Sequence, residues 1–491
     1  MQTAIIILYT LALVLVFVYS LAQLHLLVNY LRARKEYENA PSFDFQNPDE
    51  IPSVTIQLPL YNEFYVTERL LDNIAKIDYP KDKLEIQVLD DSTDESVAAT
   101  KAQILELREK GIDIKHITRK DRCGFKAGAL KEGLKTAKGE FVAIFDADFM
   151  PNHDWLHKTI PYFKDENIGV VQTRWGHLNR DYSILTRVQA FALDFHFILE
   201  QVGRNFGDHF INFNGTAGVW RKKCIFDAGN WEGDTLTEDL DLSYRAQLKK
   251  WKFKYLENVE TPAELPMVIS AARSQQFRWN KGAAENFRKL YWRLLKDPTV
   301  CLKTKFHSFF HLLNSSMFLL VLLLGVLSVP VLYITHVNPS YSDYLHVVAF
   351  FAISTVIFFG CYWVTYKRMH GGGIRNFLNF VGMFFTFFSV AMGFSLHNSI
   401  AVIEGHFGKK SAFVRTPKFN MDILHKNIKE NKYISRKIPV NVILEILLFL
   451  YFGFALFLAF YIQDYGMVLF HLMLFFGFGF VAFKSLFRMR S

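Results

Sequence analysis

Cysteine is nearly missing. The chain has four in 491 residues, Cys123, Cys224, Cys301 and Cys361, with no CxxC and no matched spacing, so neither a disulfide framework nor a thiolate zinc site is supported. No GxxxxGK(S/T) loop occurs, and no GxGxxG follows the first strand-like run, which disfavours a P-loop nucleotide hydrolase and a dinucleotide-binding dehydrogenase. The first apolar run has no basic segment before it and is followed by Arg32, Arg34 and Lys35, the reverse of a cleaved signal peptide. The basic excess, net +9, collects in segments flanking apolar blocks, so it speaks for membrane topology rather than for nucleic acid, and no nucleic-acid partner is expected.

What is present is apolar and segregated. Half of the chain is hydrophobic (51%), with 49 Phe, and yet 56 Lys+Arg and 47 Asp+Glu remain, so charge and hydrophobe must occupy separate blocks. Residues 4–28 (within a first segment 1–30), about 309–334, 345–366, 438–462 and 465–487 each reach the roughly 20 residues needed to span a bilayer. A further apolar stretch, about 376–404, has basic flanks on both sides. A simple span cannot put both in the cytosol, whereas an interfacial or re-entrant helix can. The expected layout has an external N-terminus, five spans, a cytosolic domain over about 40–305 and a membrane domain over 306–491 with a cytosolic loop at 405–437.

The cytosolic segment reads as strands alternating with helices. SVTIQLPLYNE (53–63) is an alternating strand that stops at Pro59, and LEIQVLDDSTDE (84–95) ends in Asp90 and Asp91 with Ser92, Thr93 and Asp94 as capping types. GIDIKHITR and GEFVAIFDAD supply two more strands. This alternation implies an α/β fold with a mostly parallel sheet, whose ligands bind at the carboxyl ends of the strands, where Glu63, Asp91, Asp146 and Asp148 fall. Acidic groups gathered there leave uncompensated negative charge. The expected relief is a hard divalent cation, Mg²⁺ or Mn²⁺, completed by a diphosphate. A plainer reading of FDAD keeps the aspartates only as caps for the next helix, and Thr237, Glu238 and Asp239 of TLTEDL admit the same reading. Gln275, Arg278 and Trp279 of RSQQFRW lie on a basic amphipathic helix that a membrane surface would also explain.

In combination, LDD, DAD, TED and QQFRW resemble the D, DxD, TED, QxxRW series of membrane-bound, processive family-2 glycosyltransferases such as cellulose synthases. VLDDSTDE, FKAGALKEGL, FVAIFDADF, FNGTAGVWR and LPMVISAARSQQFRW look like the cellulose-synthase-like mannan and glucan synthases over about 50–300. FVRTPK (413–418) is similar to the FxVTxK gating loop, keeping Phe413, Thr416 and Lys418 while Arg415 replaces Val. The resemblance implies a GT-A-type domain inserted in a transmembrane bundle. It also implies roles: Glu63, Asp91 and Lys126 on the nucleotide, Asp146 and Asp148 on the metal, Gln275 and Arg278 on the pyrophosphate, Trp279 on the acceptor sugar, Asn214, Gly215 and Thr216 in the acceptor wall, Glu238 in the substrate site, and Asp239 as general base.

The activity so implied is inverting polymerisation of a β-linked glucan or mannan from UDP-glucose or GDP-mannose, with a growing polysaccharide acceptor that crosses the bilayer. A second reading transfers a single sugar to a lipid; FVRTPK and five spans favour the polymer. A third, a transporter or scaffold with an inactive domain, is opposed by the intact DAD, TED and QQFRW. The membrane would be the cytoplasmic one in a bacterium and the Golgi in a eukaryote, and the sequence leaves accessory subunits unassigned. Polar residues in the apolar blocks, His307, His311, Asn314, Ser315, Ser316, Glu445 and His471, are either functional or helix–helix contacts.

Overall fold

The computed structural model describes residues 1–34, 41, 47, 50–341, 343–411, 414–420, 433 and 440–486. The region between residues 54 and 263 is built on a seven-stranded sheet. The strands are β1 (Val54–Leu60), β2 (Leu84–Asp90), β3 (Ile114–Thr118), β4 (Phe141–Ile144), β5 (Ile168–His177), β6 (Gly218–Arg221) and β7 (Lys252–Ala263), in spatial order β3-β2-β1-β4-β6-β5-β7. Only β6 runs against its neighbours, so the sheet is mixed and mostly parallel, a GT-A-like arrangement. Both faces are covered. Phe141 and Ala143 pack with Ile56, Leu58 and Val88 on one side, while Val142 and Ile144 pack with Leu130 and Trp220 on the other. The four strands read from the sequence form the contiguous parallel half, and β5 to β7 complete the other.

β1 does not stop at Pro59 but continues to Leu60. In parallel pairing, alternate residues address alternate neighbours. Gln57 accepts from Phe145 on the β4 side and Leu60 from Asp91 on the β2 side. Pro59 therefore faces β4, whose ladder with β1 has already ended at Ile144, so the missing N–H costs nothing there.

Among the described residues, six helical segments are long and apolar enough to cross a membrane: Gln2–Ala33, Leu302–Val337, Pro339–His370, Ile374–Gly393, Asn441–Tyr461 and Val468–Leu486. The second is broken by a turn at Asn314–Ser316, which separates Leu302–Leu313 from Met317–Val337. The stretch expected to lie at the interface is also broken, into Ile374–Gly393 and Ser395–His406. Its first part meets the length and apolarity of a span. Gly393 and Gly477 bring that helix and Val468–Leu486 into backbone contact, since a Cβ on either would collide with the other helix.

A long amphipathic helix, Ile269–Lys296, joins the two regions. Its buried Arg273 makes a bidentate pair with Glu445 (2.8 and 2.6 Å) and donates to Ser485 (3.0 Å). Asn398 donates to Gln276 (2.8 Å), and Lys281 pairs with Glu404 (3.1 Å), so Ser395–His406 lies along the same helix.

Several polar residues in the apolar blocks have helix–helix partners. His471 meets Ser328 (2.8 Å), Tyr19 donates to Asn314 (2.7 Å), Ser316 meets His406 (3.0 Å), and His311 meets Tyr244 (2.9 Å).

Candidate active site

One cavity opens at the carboxyl ends of β1, β2 and β4, and Glu63, Asp91, Lys126, Asp146, Asp148, Asn214, Gly215, Glu238, Asp239, Gln275, Arg278, Trp279, Thr416 and Lys418 all line it. These three strand ends, the start of the helix Phe125–Leu134, the helix Glu238–Leu248, the helix Ile269–Lys296 and the loop around 414–420 thus converge on it. Thr216 does not line it. This fully buried residue stands behind the wall, where its hydroxyl accepts from the Asp146 amide (2.9 Å) and fixes the turn after β4. Phe413 lies outside the described residues.

That turn gives the two DAD aspartates different settings. The Asp146 side chain is 35% exposed to the cavity and the Asp148 side chain 1%. Neither caps a helix. Asp146 pairs with Lys126, whose ammonium also donates to the Gly215 carbonyl (2.9 Å), and Asp148 Oδ2 pairs with Lys418 (2.7 Å). The expectation of uncompensated charge is therefore corrected: each carboxylate has a lysine, supplied from elsewhere in the chain. Burial alone would draw both ammonium groups down, but the facing carboxylates, Asp146 for Lys126 and Asp148 for Lys418, hold their pKa values above that of an ordinary lysine.

In the TED segment, Thr237 does not act as a side-chain cap. Its hydroxyl accepts instead from Asn286 (2.9 Å) on the long helix, Leu236 N donates to Glu285 (2.8 Å), and Gly282 leaves room for Thr237, since a Cβ there would meet its Oγ1 at 2.5 Å. TED is thus braced by the helix that carries QxxRW. Asp239 is pushed up to about 7, mainly by burial and next by the Glu238 charge, and burial also raises Glu238. Gly215, at φ +81°, faces Asp239, whose Oδ2 would lie 3.0 Å from a Cβ there. Asn214 is held by Gln201 (2.7 Å), His196 (3.0 Å) and, through its amide, Gln172 (3.0 Å).

On the opposite wall Arg278 donates to Thr416 (3.0 Å), and Arg415, the departure from the gating pattern, pairs with Glu63 (2.7 Å) and lies 4.0 Å from the Tyr433 ring centroid. Burial raises Glu63 to about 7 against the pull of Arg415 and Lys418. Asp91 is gripped by Arg119 (2.9 Å from Nε to Oδ1), while Asp90 is turned inward to His116 (2.9 Å) and the Ser92 amide (2.9 Å). Ser92 and Thr93 serve less as caps than as a tie to Asn62: Ser92 Oγ accepts from the Asn62 amide (2.8 Å) and Thr93 N donates to its side chain (2.8 Å).

Sequence reasoning missed several lining residues. Arg122 stacks on Tyr61, 3.2 Å from its centroid, and Trp175, His177 and Glu264 complete the wall. Trp175 stands 6.5 Å from Trp279, and its buried indole N–H has no hydrogen-bond partner. Recognising the β5 run, IGVVQTRWGH, as a strand would have put Trp175 and His177 at its carboxyl end, with the other candidates.

A divalent cation fits this donor set. Asp148 Oδ1 is buried without a hydrogen-bond partner, next to the partly exposed Asp146 carboxylate, and both offer hard oxygen.

A mostly parallel GT-A-like sheet with acidic strand ends, an orphan carboxylate oxygen and cationic and aromatic walls defines a nucleotide-sugar-binding domain of the glycosyltransferase type. In comparison with known proteins, residues 52–282 match the model of Glycosyltransferase like family 2. The chain's curated relatives include a probable glucomannan 4-beta-mannosyltransferase 2 of Oryza sativa subsp. japonica, 43% identical over 263 residues (52% of this chain, 45% of that protein). Glucomannan 4-beta-mannosyltransferase 2 of Arabidopsis thaliana is 41% identical over 273 residues (54% and 51%). The chain spans about half the length of these relatives. A mannosyltransferase from Pyrobaculum calidifontis, solved with GDP-mannose and Mn²⁺, aligns over 84% of this chain and 100% of its own with a TM-score of 0.53 at 19% identity, a likeness of fold.

Proposed function

We propose that the chain is an inverting glycosyltransferase that polymerises a β-linked mannan- or glucan-type polysaccharide from a nucleotide-diphospho-sugar and feeds it into its own membrane helices. GDP-mannose is the leading donor and UDP-glucose the alternative. The observation that carries the reading is the convergence on one cavity of Asp146 and Asp148, Arg278, Trp279 and Asp239. The glucomannan mannosyltransferase relatives and the solved neighbour with GDP-mannose support the donor.

In this reading Asp239 accepts the proton of the acceptor hydroxyl as that oxygen attacks the anomeric carbon. Its raised pKa matches a base that must both take and hold a proton near neutrality. Gly215 keeps the space in front of it clear. Arg278 and Gln275 bind the diphosphate, and Lys126 and Lys418, which pair with the aspartates, are within reach of the same charge. Asp146 and Asp148 would hold Mg²⁺ or Mn²⁺, whose contribution when bound is to neutralise the departing diphosphate. Trp279 and Trp175 offer ring faces to the acceptor, and Tyr61 with Arg122 flanks the nucleotide beside Asp91.

We further place the catalytic domain in the cytosol and Ile374–Gly393 along the interface. Both ends of the bent segment touch the catalytic domain: Arg368, just before it, pairs with Glu257 (2.9 Å), and Ser395–His406 lies on the helix of Gln276 and Lys281.

The test is incorporation by detergent-solubilised protein offered labelled GDP-mannose, UDP-glucose and UDP-N-acetylglucosamine separately with Mg²⁺ or Mn²⁺. An ethanol-insoluble polymer that a matching endo-glycanase digests is expected; label confined to an organic-extractable glycolipid would replace the polymerase with the lipid-acceptor reading.

A further inference from the structure

Three histidines from distant parts of the chain meet away from the cavity. His25 is on the helix Gln2–Ala33, His307 on Leu302–Leu313, and His209 in the loop that leads to Asn214 and Gly215. One ligand nitrogen of each lies within 4.8 Å of the other two. His25 Nδ1 and His307 Nε2 are 2.8 Å apart, and the His209 and His307 rings stack at 4.2 Å.

We propose that His25, His209 and His307 form a three-imidazole site for a borderline transition-metal cation of the Zn²⁺ class. His209 is 6% exposed; its Nδ1 is engaged by Thr304 Oγ1 (3.0 Å), and its Nε2 is buried with no hydrogen-bond partner. An imidazole fixed through one nitrogen with the other bare and buried is the arrangement of a metal-ligating histidine with its outer partner. Thr304 in turn reaches the Asp208 carbonyl (3.3 Å). Ligand nitrogens across a tetrahedral zinc are about 3.3 Å apart, from Zn–N distances near 2.0–2.1 Å. Binding requires the stacked imidazoles to turn their nitrogens toward a common point at that spacing, and the exposed His25 gives a path of entry.

Arg32, Lys303 and Arg204 face the cluster, the last already paired with Glu200 (3.0 Å). These cations and burial favour neutral imidazole, the ligating form; His209 is lowered to about 4, by burial first and then by His25 and Arg204. A cation there would staple the first helix to the start of the second apolar segment and to the loop before Asn214. The site is independent of the aspartate cavity and of the reaction assigned to it.

The test uses full-length protein in detergent, carrying no polyhistidine tag, dialysed after exposure to zinc and analysed for metal and thermal midpoint. The expected result is one tightly held zinc per chain, lost in His209→Ala and in His25→Ala and kept in Asp146→Asn/Asp148→Asn, with zinc raising the midpoint of the wild type but not of His25→Ala. Co²⁺ exchanged into the wild type, which needs no variant to fold, should show the visible bands of a four-coordinate site. Wild-type protein that retains no zinc, cobalt that stays octahedral, or a zinc content untouched in the histidine variants overturns the proposal.

Discussion

Asp239 should impose its own titration on the rate. With its pKa near 7, about one-tenth of the base is ionised at pH 6 and about nine-tenths at pH 8, so kcat/KM should rise about tenfold over that interval. The same shift works on stability with the opposite sign. The ordinary value is 3.8, so between about 4 and 7 the folded protein keeps a proton that the unfolded chain has released, and stability falls as pH rises. Glu63, also raised to about 7, could supply a limb of its own and must be separated. The assay is initial-rate incorporation from GDP-mannose at saturating divalent cation between pH 5.5 and 8.5, in the wild type, Asp239→Asn, Glu63→Gln and Glu238→Gln. Asp239→Asn should lose about 10²–10⁴-fold, the range of a general base, and the residual rate should lack the limb. Glu63→Gln should keep it. Glu238→Gln removes the charge that, after burial, does most to raise Asp239, and should move the limb to lower pH. A flat wild-type profile, or an Asp239→Asn enzyme that retains most of its rate with the limb intact, refutes Asp239 as the base.

Gly215→Ala should abolish incorporation without unfolding the protein, because a Cβ at φ +81° stands 3.0 Å from Asp239 Oδ2; comparable thermal midpoints alongside a lost rate would check it. Glu445→Ala strands the buried Arg273 guanidinium and should cost about 3–5 kcal/mol, seen as a lower midpoint in detergent, with recovery in Arg273→Met/Glu445→Leu. In a background with Cys123 and Cys301 replaced by Ser, Arg375→Cys and Lys409→Cys should both be shielded from an impermeant maleimide in sealed cells and both react after permeabilisation. Labelling of one alone from outside would make Ile374–Gly393 a span.

The parallel half of the sheet was legible because its signal is local: an apolar run that ends in acid marks both a strand and its carboxyl end, as in β2 with Asp91. TED and QxxRW were legible as motifs, but not their mutual bracing, since Asn286 and Gly282 meet Thr237 only when the long helix docks. The lysine partners were hidden for the same reason. Nothing near FDAD in the chain announces that Lys126 and Lys418 will neutralise it, so repulsion between the aspartates looked larger than it is. Trp175 was missed because β5 joins its neighbours through strands not yet recognised, and a strand end counts only once its sheet is known. Glu445 was visible as an ionisable residue in an apolar helix, yet its partner lies 172 positions away.

That last pair bears on how the proposed polymerase would couple synthesis to the membrane. Arg273 fixes the front of the helix Ile269–Lys296 to two membrane helices through Glu445 and Ser485, and Gln275, Arg278 and Trp279 follow within the next two turns of the same helix. Asn398 and Glu404 hold it from the bent segment, and Thr416 meets Arg278 directly. A shift in the packing of those membrane helices therefore reaches Arg278 and Trp279, to which the proposed function gives the diphosphate and the acceptor, along one rigid element. The loop carrying Arg415, Thr416 and Lys418 contacts Glu63, Arg278 and Asp148 at once, so under the proposed function its entry or withdrawal would change the charge and the cover of the cavity in a single movement. Arg415 is accommodated where the gating pattern has Val because Glu63 stands opposite it, and under the proposed function a donor that engages Glu63 would have to displace this ion pair.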